Sequence, residues 1–547
     1  MGTTRLPRAA RLAAVAAALA ALVLPAACEG PAGGTAPGTV VVSIGAPAAP
    51  LVPGTTTDES GLQVVGSLWT GLVEYAADGS VEYTGVAESV ESADDTTWTI
   101  RLREGWTFHD GSPVTASSDV DAWNATAWSP NAMSGSYALA DVVGYDDLQA
   151  PTGPDGQPVG EPAAREMSGL RVVDDRSFTV TLDAPFASFP AALGQRVLLP
   201  LPESYWADAE AFGRRPVGNG PFRAVGEYVP GEGITLRRYE DYAGPRPARV
   251  DAVEFREYVD EDTAYTELLS GDLDVLPGAS PDVSGRAERD GEAGAVESPT
   301  AGLSYLALPL YDERYADRRV RQALSLAIDR AAVAEAVFEG TRRAADALVA
   351  PGLPGHRPGA CRYCVLDVDR ANALLDQAGF DRGRPVELWF NAGAGNDAWV
   401  EAVGNQLRAH LGVEFLLNGT LAPAEYLGRI AERGMTGPFR LGWAADYPSP
   451  RSFLEPVFAT SAQPPAGANV AFYSDPAVDA LLAEAATAPT EETALAAYAR
   501  AEDLVLEDLP AVPLFVDVTR ALHSDRVADV VVLPCGGVDV AALTLAR

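Results

Sequence analysis

Two apolar periods run through this chain. Trp98-Thr-Ile-Arg-Leu-Arg103 alternates apolar and polar residues, the pattern of a half-buried strand. Leu170 to Leu182 predicts a hairpin with Asp174-Asp175 at its tip. Thr39-Val-Val-Val-Ser-Ile44 is continuous enough for a fully buried strand, and Phe222–Val229, Ile234–Tyr239 and Ala252–Tyr258 predict three more. The helical period appears in Leu62, Val65, Leu68, Trp69 and Leu72, which predicts a helix over Leu62–Tyr75. Ser118–Ala127 and Thr263–Ser270 come next, the second stopped by Gly271.

The second half is more helical. Asp317 caps a helix that carries Val320, Leu324, Ala327, Ile328, Ala331, Ala334 and Val337 inward until Gly340. Asp369–Ala378 and Asp397–Leu411 are helices, with strands at Val386–Phe390 and Val413–Leu417. Ser474-Asp-Pro476 opens another helix, and Ala494, Tyr498, Ala501 and Val505 line the next. Ala511–Val518 and Val527–Leu533 are late strands. Strands alternate with helices throughout, so the class is α/β with mixed sheets. With 547 residues, the chain needs two or three domains.

Composition narrows the chemistry. The 40 bases are all Arg, so no P-loop or Schiff-base lysine is present. A net charge of -36 opposes nucleic acid and favours cationic ligands and solubility. Arg5, Arg8 and Arg11 precede an apolar Leu12–Leu24 run, the layout of a signal peptide. Leu24-Pro-Ala-Ala-Cys28 resembles a bacterial lipobox, with Pro25 where that pattern prefers Leu. Cys28 is therefore the expected lipidation site and residues 29–38 a flexible tether; ordinary cleavage after Ala27 is the alternative. Cys361 and Cys364 could form a redox pair, half a zinc site or a local staple; a structural disulfide is expected, with Cys535 left over. The four His are far apart, His109-Asp110 lies on a strand running into a turn, and no catalytic motif is present. Neither a metal site, nor a cofactor, nor an enzyme is expected.

One stretch carries candidate binding chemistry. Gly442-Trp-Ala-Ala-Asp-Tyr-Pro-Ser-Pro450 sets Asp446 between Trp443 and Tyr447, and Pro448 and Pro450 stiffen the chain beyond the acid. An acid on a stiff loop beside a Trp suits a cation held in a closing cleft. A Pro-rich turn with a surface acid is the plainer reading.

Several motifs together resemble one family. They include Leu68-Trp-Thr-Gly-Leu-Val-Glu-Tyr75, Phe108-His-Asp-Gly111, Val217-Gly-Asn-Gly-Pro-Phe222, Ser270-Gly-Asp-Leu-Asp274, Arg319 to Arg330 and Trp443 to Pro450. The chain resembles the family 5 extracytoplasmic solute-binding proteins of ABC importers, of the oligopeptide, dipeptide and nickel type, and most of all oligopeptide-binding lipoproteins of Gram-positive bacteria. The resemblance implies a two-lobe, class II periplasmic-binding-protein-like fold. Lobe one would be 39–75, 168–297 and 512–547, the extra domain 76–167 and lobe two 298–511. It implies that Asp446 pairs with a peptide's α-ammonium, flanked by Tyr447, with Trp443 as a pocket wall or a core residue beneath it. The strand Leu306-Ala-Leu-Pro309 departs from the family's Asn-Thr pattern; its neighbour Tyr305 is a further candidate contact. The implied partners are a peptide or small solute, ABC permease subunits and the membrane through the lipid anchor, with the protein a monomer on the outer face of the cell membrane. A non-transporting sensory lipoprotein, or a binder of a sugar or metal chelate, would share the fold.

Overall fold

The structure is a computed structural model that describes residues 38–546 except 77–78, 152–158, 339, 394, 465–466 and 534–535. The signal peptide, Cys28, most of the tether and Cys535 lie outside the described residues. No described helix is long and apolar enough to cross a membrane.

The expected α/β class with mixed sheets is what the chain adopts. Thr39–Ile44 is buried along its whole length and pairs in parallel with Ala252–Glu257. Its alternation feeds two sides: Val40 and Val42 enter one large core, while Val41 meets a small core over Ala264–Ala287. Eleven of the described strands form the main sheet. Near its middle lie two long antiparallel strands, Gly294–Ala307 and Ala511–His523.

Those two strands pass from one core to another. On the first, Val296 packs on the core built from the N-terminal half, while Ala301 onward belongs to a second core. On the other, Val516 belongs to the second core and Ala521 to the first. The ladder between them shifts register between Pro299 and Leu303, at the point where the cores change. There the Thr300 hydroxyl donates to the Asp517 carbonyl at 3.1 Å.

A separate four-stranded antiparallel sheet joins Ala87–Ser92, Thr97–Leu102, Ser177–Thr181 and Leu170–Asp174. In it Trp98, Ile100 and Leu102 point inward, in keeping with the alternation. The 170–181 hairpin thus pairs with a strand on the other side of the 167 boundary.

Three expected elements are different. The helix over 62–75 runs from Glu59 to Leu68, capped by Asp58. It stops because the next amides have other partners: Thr70 N–H donates to Asn219 and Gly71 N–H to Glu74. The helix from Asp317 breaks into Arg318–Leu326 and Arg330–Phe338. At the break Asp329 N–H donates to Gln406, and the Asp329 carboxylate accepts from Ala332 N–H, starting a new helix. The buried Arg330 guanidinium donates to the carbonyls of Ser325, Ile328 and Pro513. The strand at 527–533 shrinks to Val527–Ala528 because Asp529 takes a left-handed conformation, φ 57°. Short helices at Pro281–Asp290, Pro423–Ala431 and Arg451–Phe458 add to the expected elements. Cys361 and Cys364 are joined in a disulfide.

His109 is structural. Its Nδ1 accepts from Gly218 N–H at 3.1 Å, and Nε2 lies 3.1 Å from the Gly220 carbonyl, so Nε2 carries the proton. It ties the 105–115 turn to the 217–222 turn. Burial holds its pKa down to about 4, against the effect of the Gly220 hydrogen bond.

Candidate functional site

A cavity of about 600 Å³ lies against both cores. One wall comes from the Glu59–Leu68 helix, the chain to Tyr75 and the 194–199 segment. The other comes from Thr300–Gly302 and Ala444–Asp446. Its size is within the range of ligand pockets.

The second wall is built on the Phe439–Ala444 strand, whose partner is Gly294–Ala307. Alternation sorts its side chains. Ala444 faces the cavity, while the half-buried Trp443 packs on the second core and donates from Nε1 to the Ser452 carbonyl at 2.7 Å. Ser452 also fixes the acid, since its hydroxyl accepts from Asp446 N–H at 2.8 Å. Asp446 is exposed to the cavity and makes no ion pair among the described residues. Its Oδ1 accepts from the Tyr137 hydroxyl at 3.0 Å. The enclosing walls raise its carboxyl pKa above the usual range, against the pull of the Tyr137 hydrogen bond.

Of the four residues expected at the site, the cavity takes only Asp446. Tyr447 packs against the first core, its ring centre 6.1 Å from that of Phe186. Tyr305 is 2% exposed and set edge-on to Phe453, so it is a core residue and not a ligand contact. The sequence departure at Leu306-Ala-Leu308 is likewise buried. Trp443 lies beside the acid's loop and outside the cavity lining.

Other polar groups complete the lining. The Glu74 carboxylate pairs with Arg246 at 2.9 Å and accepts from Gly71 N–H; burial nevertheless raises its pKa. Arg246 lies 3.8 Å from Asp539. Asp517 pairs with Arg342 at 2.6 Å. Arg196 donates to the Leu62 carbonyl at 3.0 Å and makes no ion pair among the described residues. None of these is marked by spacing in the sequence, because each pair joins distant segments.

Arg440 lies on the Phe439–Ala444 strand, on the same face as Ala444. Its Nε is buried without a partner among the described residues, its Nη1 lies 3.5 Å from Asn391 Oδ1, and burial lowers its pKa from the ordinary arginine value. A side chain on Gly442 would meet its guanidinium at 3.6 Å, so Arg440 lies back along the strand toward Ala444.

Relatives cover nearly the whole chain. The glutathione-binding protein GsiB of Pectobacterium atrosepticum is 25% identical over 505 residues, covering 90% of this chain and 91% of its own. The periplasmic murein peptide-binding protein MppA of Escherichia coli is 26% identical over 465 residues, 83% of each chain. Among solved structures, the unliganded open form of the MppA murein tripeptide-binding protein superposes with a TM-score of 0.81 at 23% identity, covering 93% of this chain and 98% of that one. The model of the bacterial extracellular solute-binding proteins, family 5 middle, matches residues 83–464, and the chain belongs to this family of binding proteins.

Proposed function

We propose that the chain captures short peptides outside the cytoplasm and delivers them to an ABC permease. The observation that carries this reading is Asp446: an exposed carboxylate, oriented by Tyr137 and Ser452, that faces the cavity and makes no ion pair among the described residues. A peptide's α-ammonium is the missing cation. A cavity that closes would exclude the water that now solvates the acid, and would strengthen the pair. The peptide names carried by relatives such as MppA agree with this chemistry.

Closure is a consequence of the two-core layout. Lobe one would hold 39–75, about 183–297 and 512–547, and lobe two 298–511, with the hinge at 299–302 and 516–519. The extra domain would run from 76 to about 182, because the 170–181 hairpin completes its sheet. Acylation of Cys28 would anchor a monomer to the outer face of the membrane.

The test is to denature the purified protein and identify what it releases by mass spectrometry, then repeat with Asp446→Asn. Mixed short peptides that disappear in the variant support the reading. A single non-peptide species, or peptides retained equally by the variant, overturns it.

A further inference from the structure

The first wall holds a charge that the peptide reading does not use. Arg196 lines the cavity, and its guanidinium has one described acceptor, the Leu62 carbonyl. The neighbouring cation differs in degree: Arg246 is hydrogen-bonded to Glu74 and lies 3.8 Å from Asp539, whereas Arg196 feels Glu74 only through space. A guanidinium presents five donors in a planar fork that matches a carboxylate, so most of the donors of Arg196 remain available.

The helix beneath it is shaped for this group. Gly66 is inside the Glu59–Leu68 helix, where glycine costs about 1 kcal/mol relative to alanine. A Cβ there would stand 2.7 Å from Arg196 Cζ and 2.8 Å from its Nε. The missing side chain is what lets the guanidinium lie flat on the helix. The base of the arginine is equally fixed. Gly135 packs on Val197, with space for no side chain: a Cβ would stand 2.6 Å from Val197 Cβ. The Gly135 segment is the one that carries Tyr137 to Asp446. Arg196 therefore rises, on the opposite wall, from the segment that packs on the turn carrying Tyr137, the partner of Asp446.

We infer that Arg196, seated on Gly66, is a carboxylate subsite that selects peptides with an acidic side chain near their amino end. The inference rests on the peptide reading of Asp446. It assigns the ligand a bipolar head: ammonium to Asp446, carboxylate to Arg196.

Titration calorimetry with synthetic tripeptides tests it. Trialanine reports peptide binding alone. Glu-Ala-Ala against Gln-Ala-Ala, and Ala-Glu-Ala against Ala-Gln-Ala, report the acid at each position. The expected result is that one acidic peptide binds wild type about tenfold or more tightly than its amide isostere. In Arg196→Gln this ratio falls to near one, because only the acidic member of each pair loses a partner. Arg196→Lys, which keeps the charge without the fork, retains part of the ratio, a result that misfolding could not give. A ratio near one in wild type, or an unchanged ratio in Arg196→Gln, overturns the subsite while trialanine binding leaves the peptide reading standing. Failure of every peptide, trialanine included, overturns both.

Discussion

The two walls of the cavity are made in opposite ways. The Asp446 wall is local: strand, acid, two prolines and the Ser452 that fixes both Asp446 and Trp443 fall within fourteen consecutive residues. The Arg196 wall is assembled from the 59–75, 194–199, 242–246 and 536–541 stretches, held by Glu74–Arg246 and by Gln63, whose amide exchanges two hydrogen bonds with Val538. This contrast governs where a sequence exposes its chemistry. A group positioned by its own neighbours leaves a motif. A group positioned by distant segments leaves only an arginine among many.

Removing Asp446 is the strongest way to test that the local wall supplies the anchor. Asp446→Asn keeps the shape and deletes the charge. Truncating one partner of an enclosed ion pair costs about 3–5 kcal/mol, so trialanine affinity should fall on the order of 10²- to 10³-fold. Wild-type affinity should also decline as pH falls toward the acid's raised pKa, because the neutral carboxyl cannot pair with an ammonium. The variant should show no such decline. Equal affinities, or equal pH profiles, would move the anchor to the other wall.

The assembled wall has its own point of failure in His109. The turn it secures places Gly218 and Gly220 against Leu68 and Trp69, at the end of the cavity helix. The unfolded imidazole gains its proton near pH 6.5 and the folded one only near 4. Above 6.5 neither form is protonated. Between the two values only the unfolded chain is, so stability falls as pH drops through this window and levels off below 4. The loss should approach about 3 kcal/mol. Denaturant unfolding at several pH values reads it directly, and His109→Gln should flatten the slope. An unchanged slope would show that this ring does not hold the wall.

Legibility divides in the same way. The strands at 39–44 and 97–102 and the helix at 397–411 are clear from pattern alone: the last two bury one face along their length, and the first, apolar throughout, buries both. Period overextends the Leu62–Tyr75 helix because Trp69 and Leu72 are buried by other elements while Asn219 and Glu74 take the backbone amides that would have continued it. Asp446 is legible as a motif. Tyr305 and Trp443 fall outside the cavity because strand alternation alone does not say which face meets the cleft. Tyr137 and Arg196 leave no signal: one sits in a 3-10 turn without period, the other at the start of another.

Tyr137 is the bridge between the walls, and its removal should have a smaller effect. Tyr137→Phe deletes one hydroxyl that donates to Asp446. A hydrogen bond to a charged group contributes about 1.5–3 kcal/mol when enclosed, and less at an exposed tyrosine such as this one. A loss of about fivefold in trialanine affinity is expected by calorimetry. No loss would mean that Ser452 alone orients the acid.

The smallest effect is expected at Gly66, and it separates architecture from stability. Alanine is the better helix former, so Gly66→Ala should leave the unfolding temperature unchanged or raise it slightly. Its methyl group would nevertheless occupy the place of the Arg196 guanidinium, which must then lift from the helix. Trialanine binding depends on the other wall and should stay within about twofold. The preference for the acidic tripeptide should fall a few-fold, between wild type and Arg196→Gln. A variant that is as stable as wild type, binds the neutral peptide as well and still loses acid preference would tie selectivity to the missing side chain. If the preference survives the alanine intact, the glycine is there for packing alone, and the wall holds its arginine by other contacts.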